Sequence, residues 1–124
     1  MTNESPVRAL FCGSRLWRDR EPILARLRGL PVGSIVIHGA APGADAIAGE
    51  EADCLGLRVM SFPADWNGLG RSAGPIRNQR MIDEGRPSIV FAFPMQGSRG
   101  TWDMVRRART AGIAVVIGSG NDHR

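Results

Sequence analysis

The stretch Ser34-Ile35-Val36-Ile37-His38-Gly39-Ala40-Ala41-Pro42-Gly43-Ala44-Asp45 decides how the rest of the chain reads. It opens with a short apolar run rich in β-branched residues and continues into a turn of small residues. A helical segment then runs from Asp45 to Leu55, with Gly56 as its stop. A second apolar run, Leu57 to Phe62, follows at once. Strand, helix and strand joined this tightly form a βαβ unit with parallel strands. Working outward, the alternation recurs. Val7 to Cys12, Ser88 to Phe93 and Ile113 to Ile117 read as strands; Asp19 caps a helix reaching about Leu27; Pro75 starts a helix ending at Gly85, and Thr101 one ending at Gly112. The expectation is an α/β three-layer sandwich: a mostly parallel sheet of five strands, order 3-2-1-4-5, with helices on both faces and every strand covered on both sides. One domain is expected over residues 7–118, with flexible tails at 1–6 and 119–124.

Composition agrees with one ordinary domain. The chain has 124 residues, 43% hydrophobic, 23% charged and 6% aromatic, enough to bury a core without disulfides or structural metal. Cys12 and Cys54 show no CxxC spacing and read as buried free thiols. No leader-like segment or long apolar run appears, so a cytoplasmic location without membrane contact is expected. The formal charge is +4 and every basic residue is Arg, which excludes a P-loop or Schiff-base lysine. Acidic residues are interspersed with the arginines, so no basic run tracks a nucleic-acid backbone.

Order 3-2-1-4-5 reverses the winding between strands 1 and 4, and ligands of such sheets bind beyond the carboxyl ends there. Three glycine-bearing turns fall at that edge. Gly97-Ser98-Arg99-Gly100-Thr101 joins a buried strand to a helix start, where amides and the helix dipole favour an anion, and the Thr101 hydroxyl either caps the helix or donates to a phosphate. Gly39, Ala40 and Gly43 keep the second turn open, with Asp45 either a cap or a ligand contact. Gly13, Ser14 and Arg15 follow the first strand, and Arg15 reads as a forked phosphate contact or a solvated side chain. Trp17 either flanks a base or packs its helix. Arg77 and Arg80 share a helix face beside Asn78, and either can reach the crevice. His38 reads as a hydrogen-bonded structural residue, since no second ligand stands at metal spacing. The connection from Pro63 to Pro75, with Trp66 and Arg71, is long enough to read as a functional lid or wall.

Five ordered motifs carry a resemblance: Gly13-Ser14-Arg15-x-Trp17, His38 to Asp45, Phe62-Pro63-Ala64-x-Trp66, Ala73-Gly74-x-x-Arg77-Asn78-x-x-Met81, and Gly97-x-x-Gly100-Thr101-x-x-Met104. Together they resemble the YspA, or cpYpsA-related, branch of the SLOG superfamily, over about Arg8 to Ile117. The resemblance implies a Rossmann-like fold, a bacterial or phage source, and a nucleotide or nucleotide-derived ligand, bound as signal or substrate without cofactor or metal. It brings a homodimer into consideration. Enzymatic relatives are phosphoribohydrolases that release a base from nucleoside 5′-monophosphates, with the motif Pro-Gly-Gly-x-Gly-Thr-x-x-Glu. Met104 stands at the glutamate position and cannot stabilise an oxocarbenium-like centre. Asp103 is rotated about 100° from it and is no simple substitute. Asp45 and Arg77 remain as the candidate catalytic pair. Single-stranded DNA binding is the alternative that the DNA-processing members of the superfamily imply, and a non-catalytic partner-binding scaffold is the other.

Overall fold

A computed structural model describes residues 5–118. The expected tails fall largely on residues 1–4 and 119–124, outside the described residues, as does His123. The strands are β1 (Arg8–Gly13), β2 (Ile35–His38), β3 (Arg58–Ser61), β4 (Ile89–Phe93) and β5 (Ala114–Ile117). They form one five-stranded sheet in the order β3-β2-β1-β4-β5, and every neighbouring pair is parallel. The fold is therefore the Rossmann-like α/β arrangement read from the chain.

Alternation along the strands builds two cores, because successive side chains of a strand leave on opposite faces. Ala9 and Phe11 of β1 pack with Val36, Phe91 and Phe93 under α1 (Arg20–Arg28) and α2 (Ala44–Cys54), which contribute Ile23, Leu27, Ile47 and Ala48. Leu10 and Cys12 face the other way, with Ile37, Val90 and Ala92. They lie under Met81 and Ile82, just past α4 (Ala73–Arg80), and under Met104, Val105 and Ala108 of α5 (Arg99–Thr110). Trp17 settles as packing: it is buried, meets Phe93 edge-on with centroids 5.4 Å apart, and donates its indole N–H to the Asp19 carbonyl. Asp19 caps α1 by accepting from the Glu21 amide at 3.2 Å.

Four details differ from the sequence expectation. Coverage on both faces holds for the three inner strands, whereas β3 and β5 are sheet edges with mostly exposed or half-buried residues. Residues 63–75 are not an open loop: they hold a four-residue helix, α3 (Trp66–Leu69), and a tight turn Gly70–Ser72, and α4 already begins at Ala73. After Arg80 the helix widens into one π-type turn, Met81–Gly85. Cys54 is exposed, so only Cys12 is a buried thiol. Among the described residues no helix is long and apolar enough to cross a membrane.

Candidate functional site

The carboxyl ends of β1 and β4 open into a cavity of about 720 Å³, the place the strand order dictates. Its floor is Cys12 and Met81, which also belong to the core beneath. One wall is the β1 turn with Gly13, Ser14 and Arg15. A second is the stretch Gln96 to Thr101 with Asp103 and Arg106 of α5, and a third is Trp66, Arg71, Gly74, Arg77 and Asn78.

The walls are fixed by internal bonds. Ser14 is buried; its amide donates to the Phe93 carbonyl at 2.9 Å, its carbonyl accepts from Ala44 at 3.1 Å, and its hydroxyl accepts from the Leu16 amide at 3.0 Å. Arg15 is exposed at the rim. α5 begins after Ser98, two residues before the expected start at Thr101; Thr101 is buried and its hydroxyl pairs with that of Ser98 at 3.0 Å. Neither hydroxyl caps a backbone amide; the Arg99 amide donates to the Gly97 carbonyl at 2.9 Å, and the Gly100 and Thr101 N–H groups stay directed beyond the helix end.

Asn78 ties two walls together. Only 4% exposed, it accepts from Arg77 Nε at 3.0 Å and donates to the Gly100 carbonyl at 3.1 Å and to Asp103 at 2.9 Å. Asp103 also accepts from Arg107 at 2.8 Å and from Arg106. Burial pushes its pKa up, but the bonds from Arg107 and Asn78 and the nearby cations win, and it stays below 3.8. Arg77 donates to the Gly39 carbonyl, and burial lowers its pKa against the charge of Asp45.

Asp45 is buried and does not cap its own helix. Its Oδ2 accepts from the Gly39 amide at 2.9 Å and from Ala41 at 3.3 Å, folding the β2–α2 turn onto itself. Burial lifts its pKa from 3.8 to about 6, with the two amides and Arg77 and Arg15 opposing.

Some expected site residues lie elsewhere. Gly39, Ala40 and Gly43 do not line the cavity. Gly39 is covered by the Arg77 guanidinium, where a Cβ has no room. Gly43 is glycine for backbone reasons: φ is +79°, and a Cβ there would collide with the Ser14–Arg15 backbone. Arg80 turns away to Glu84 and to the Phe62 ring. His38 is the structural residue expected, its Nδ1 accepting from Ala40 at 2.9 Å; burial, helped by the Arg77 charge, lowers its pKa. Met104 is fully buried, while Asp103, set aside in the sequence as no simple substitute for the glutamate, is the α5 carboxylate at the cavity. Of the cavity-lining residues not expected, Gln96 adjoins Gly97, whereas Gly74 and Arg106 stand three and five residues from Arg77 and Thr101.

The comparisons with known proteins fit this architecture. A family model described as the YspA, cpYpsA-related SLOG family matches residues 7–68. "Gene 61 protein" of Mycobacterium phage D29 is 38% identical over 120 residues, covering 88% of this chain and 94% of the phage protein. DNA processing protein A (DprA) from Streptococcus pneumoniae superposes with a TM-score of 0.71 over 95% of this chain, at 18% identity; the match covers 53% of the DprA chain, about half its length. The last likeness shows the shared fold, whereas the first two show kinship: the chain belongs to the YspA, cpYpsA-related SLOG family.

Proposed function

We propose that the chain binds a nucleotide or nucleotide-derived anion in the cavity at the carboxyl edge of the sheet. The charge of the lining carries this reading: Arg15, Arg71, Arg77, Arg99 and Arg106 face it against only Asp45 and Asp103. Both carboxylates are already held by amides or arginines, so cationic donors are left over for a ligand. The α5 start adds first-turn amides and the positive end of a helix dipole. A volume of about 720 Å³ suits a molecule of nucleotide size rather than a bare phosphate. The SLOG kinship and the DNA-processing name of the structural neighbour point to the same chemical class. Binding is favoured over base release, because the residue at the hydrolase glutamate position is a buried methionine and both amides aimed at Asp45 engage one oxygen of an enclosed carboxylate.

A second reading rests on α5. Trp102 is 46% exposed and stands three residues after Arg99 and four before Arg106, an aromatic flanked by cations on one helix face, as single-stranded nucleic acid favours. One thermal-shift series separates the two readings, using nucleoside monophosphates, ADP-ribose and a short oligonucleotide at low and moderate salt. A ligand at about a hundred times its Kd adds about 2.7 kcal/mol, a midpoint shift of several degrees. The expected result is a salt-tolerant shift with a mononucleotide that disappears in Gly100→Trp, whose side chain grows from a position with no atom within 4 Å into the cavity. No shift with any nucleotide overturns the proposal, and a shift with the oligonucleotide alone that fades as salt rises selects the second reading. Chromatography of the mononucleotide mixture tests base release, and Asp45→Asn tests whether Asp45 carries it.

A further inference from the structure

We infer that Trp66, held in place against Gly74, is a base-stacking platform, so that this cavity selects ligands with an aromatic base over sugar phosphates of the same charge. The inference rests on the reading above that the cavity takes a phosphorylated ligand. Among the described residues that line it, Trp66 is the aromatic one. A half-exposed tryptophan alone would need no explanation. What sets this one apart is how it is held.

Trp66 opens α3, whose backbone is pinned by its own side chains: Asp65 accepts from the Gly68 amide at 2.9 Å, and the Ser72 hydroxyl donates to the Leu69 carbonyl at 2.8 Å. The ring then meets α4 at Gly74. A Cβ on Gly74 would lie 3.2 Å from Cη2 and 3.9 Å from each of its two ring neighbours. A face-on approach would bring those neighbours almost as close as the tip. The helix therefore meets the tip of the six-membered ring obliquely, and the rest of the indole, 50% exposed, is left to the cavity that it lines.

The opposite pole is the start of α5, and both poles meet one face of α4, Trp66 at Gly74 and the Gly100 carbonyl at Asn78. Those two contact points are one helical turn apart, roughly 5–6 Å. A nucleoside monophosphate spans that from base to phosphate, and a free phosphate does not. Stacking on an aromatic face tolerates any base, so the selection is for a base rather than for one base.

The test is calorimetric titration of the full chain with AMP and with ribose 5-phosphate, which carry the same phosphate and differ by the base. Wild type should bind AMP about tenfold or more tighter, the usual worth of one stacked base. Trp66→Leu should lose most of that preference while binding ribose 5-phosphate within about twofold of wild type. Gly74→Ala keeps the tryptophan and shifts its ring tip by only a few tenths of an ångström, and should reduce the preference less than Trp66→Leu does. AMP should quench tryptophan fluorescence in wild type and not in Trp66→Leu. Equal affinity of wild type for both compounds, or equal weakening of both by Trp66→Leu, overturns the platform while leaving the phosphate site standing. Failure of wild type to bind either compound overturns both readings.

Discussion

Asp45→Asn should change how stability depends on pH, with a sign opposite to that of an ordinary paired carboxylate. Asp45 is 4% exposed, and burial raises its pKa from 3.8 to about 6 despite the amides of Ala41 and Gly39 and the charges of Arg77 and Arg15. The unfolded chain holds this proton only below about pH 4. The native chain therefore binds more protons between about pH 4 and 6, and its stability falls as pH rises through that window. The full shift corresponds to about 3 kcal/mol, of which about 1 kcal/mol is gained between pH 7 and pH 5. His38 works the other way: burial lowers its pKa, so its contribution is lost as pH falls through that range. Asp103 is held below 3.8 and acts only in more acid solution. Subtracting the Asp45→Asn curve from that of wild type cancels both, since Asp45 is not among the causes acting on His38. Asn can keep the turn, because both amides donate to a single oxygen. Urea unfolding of both proteins at pH 5, 6 and 7 should show wild type gaining about 1 kcal/mol on the variant towards pH 5. A flat difference, or wild type gaining towards pH 7, would refute the reasoning.

Three further outcomes can be measured directly. Gly43→Ala should cost about 2–3 kcal/mol in urea unfolding, since φ is +79° and the new methyl meets the Ser14–Arg15 backbone; a loss under about 1 kcal/mol would show that the turn relaxes. Met104→Glu, which writes the hydrolase glutamate into the chain, should destabilise by about 3–5 kcal/mol and release no base, because it buries an unpaired carboxyl in a fully enclosed position; a stable variant that frees base would reverse the assignment. A thiol reagent should modify exposed Cys54 in the native protein and Cys12 only after denaturation, as burial, reinforced by Asp45, pushes the Cys12 thiol well above its usual range; rapid double labelling of the native chain would contradict this.

The sheet was legible because buried parallel strands leave continuous apolar runs between glycines and prolines. Ser88 to Phe93 became Ile89–Phe93, and Ile113 to Ile117 became Ala114–Ile117. Residues 63–75 were not, since their polar, glycine-rich composition reads as loop, whereas local bonds from Asp65 and Ser72 wind them into helical turns. Pro75 misplaced a helix start by two residues, because its missing N–H is tolerated anywhere in a first turn. Glycines marked the sheet edge where the cavity opens but carry two meanings: those of 97–101 line the cavity, whereas Gly39 and Gly43 are small because an arginine and a backbone lie against them. Asp103 was passed over by counting from a motif. The buried stripe Thr101, Met104, Val105 and Ala108 fixes which side of α5 is core, and that spacing leaves Asp103 and Arg106 off it.

Cys12 and Met81 are at once core residues and cavity floor. Selection for a tighter ligand and selection for a sturdier fold therefore act on the same two side chains. Neither can drift without disturbing both properties, so these positions will resist laboratory evolution. The exposed rim arginines Arg15, Arg71 and Arg99 belong to no core cluster, so exchanging them should cost folding little and, under the proposed anion site, alter what is captured. Libraries built on this scaffold to accept new anions are best confined to that rim.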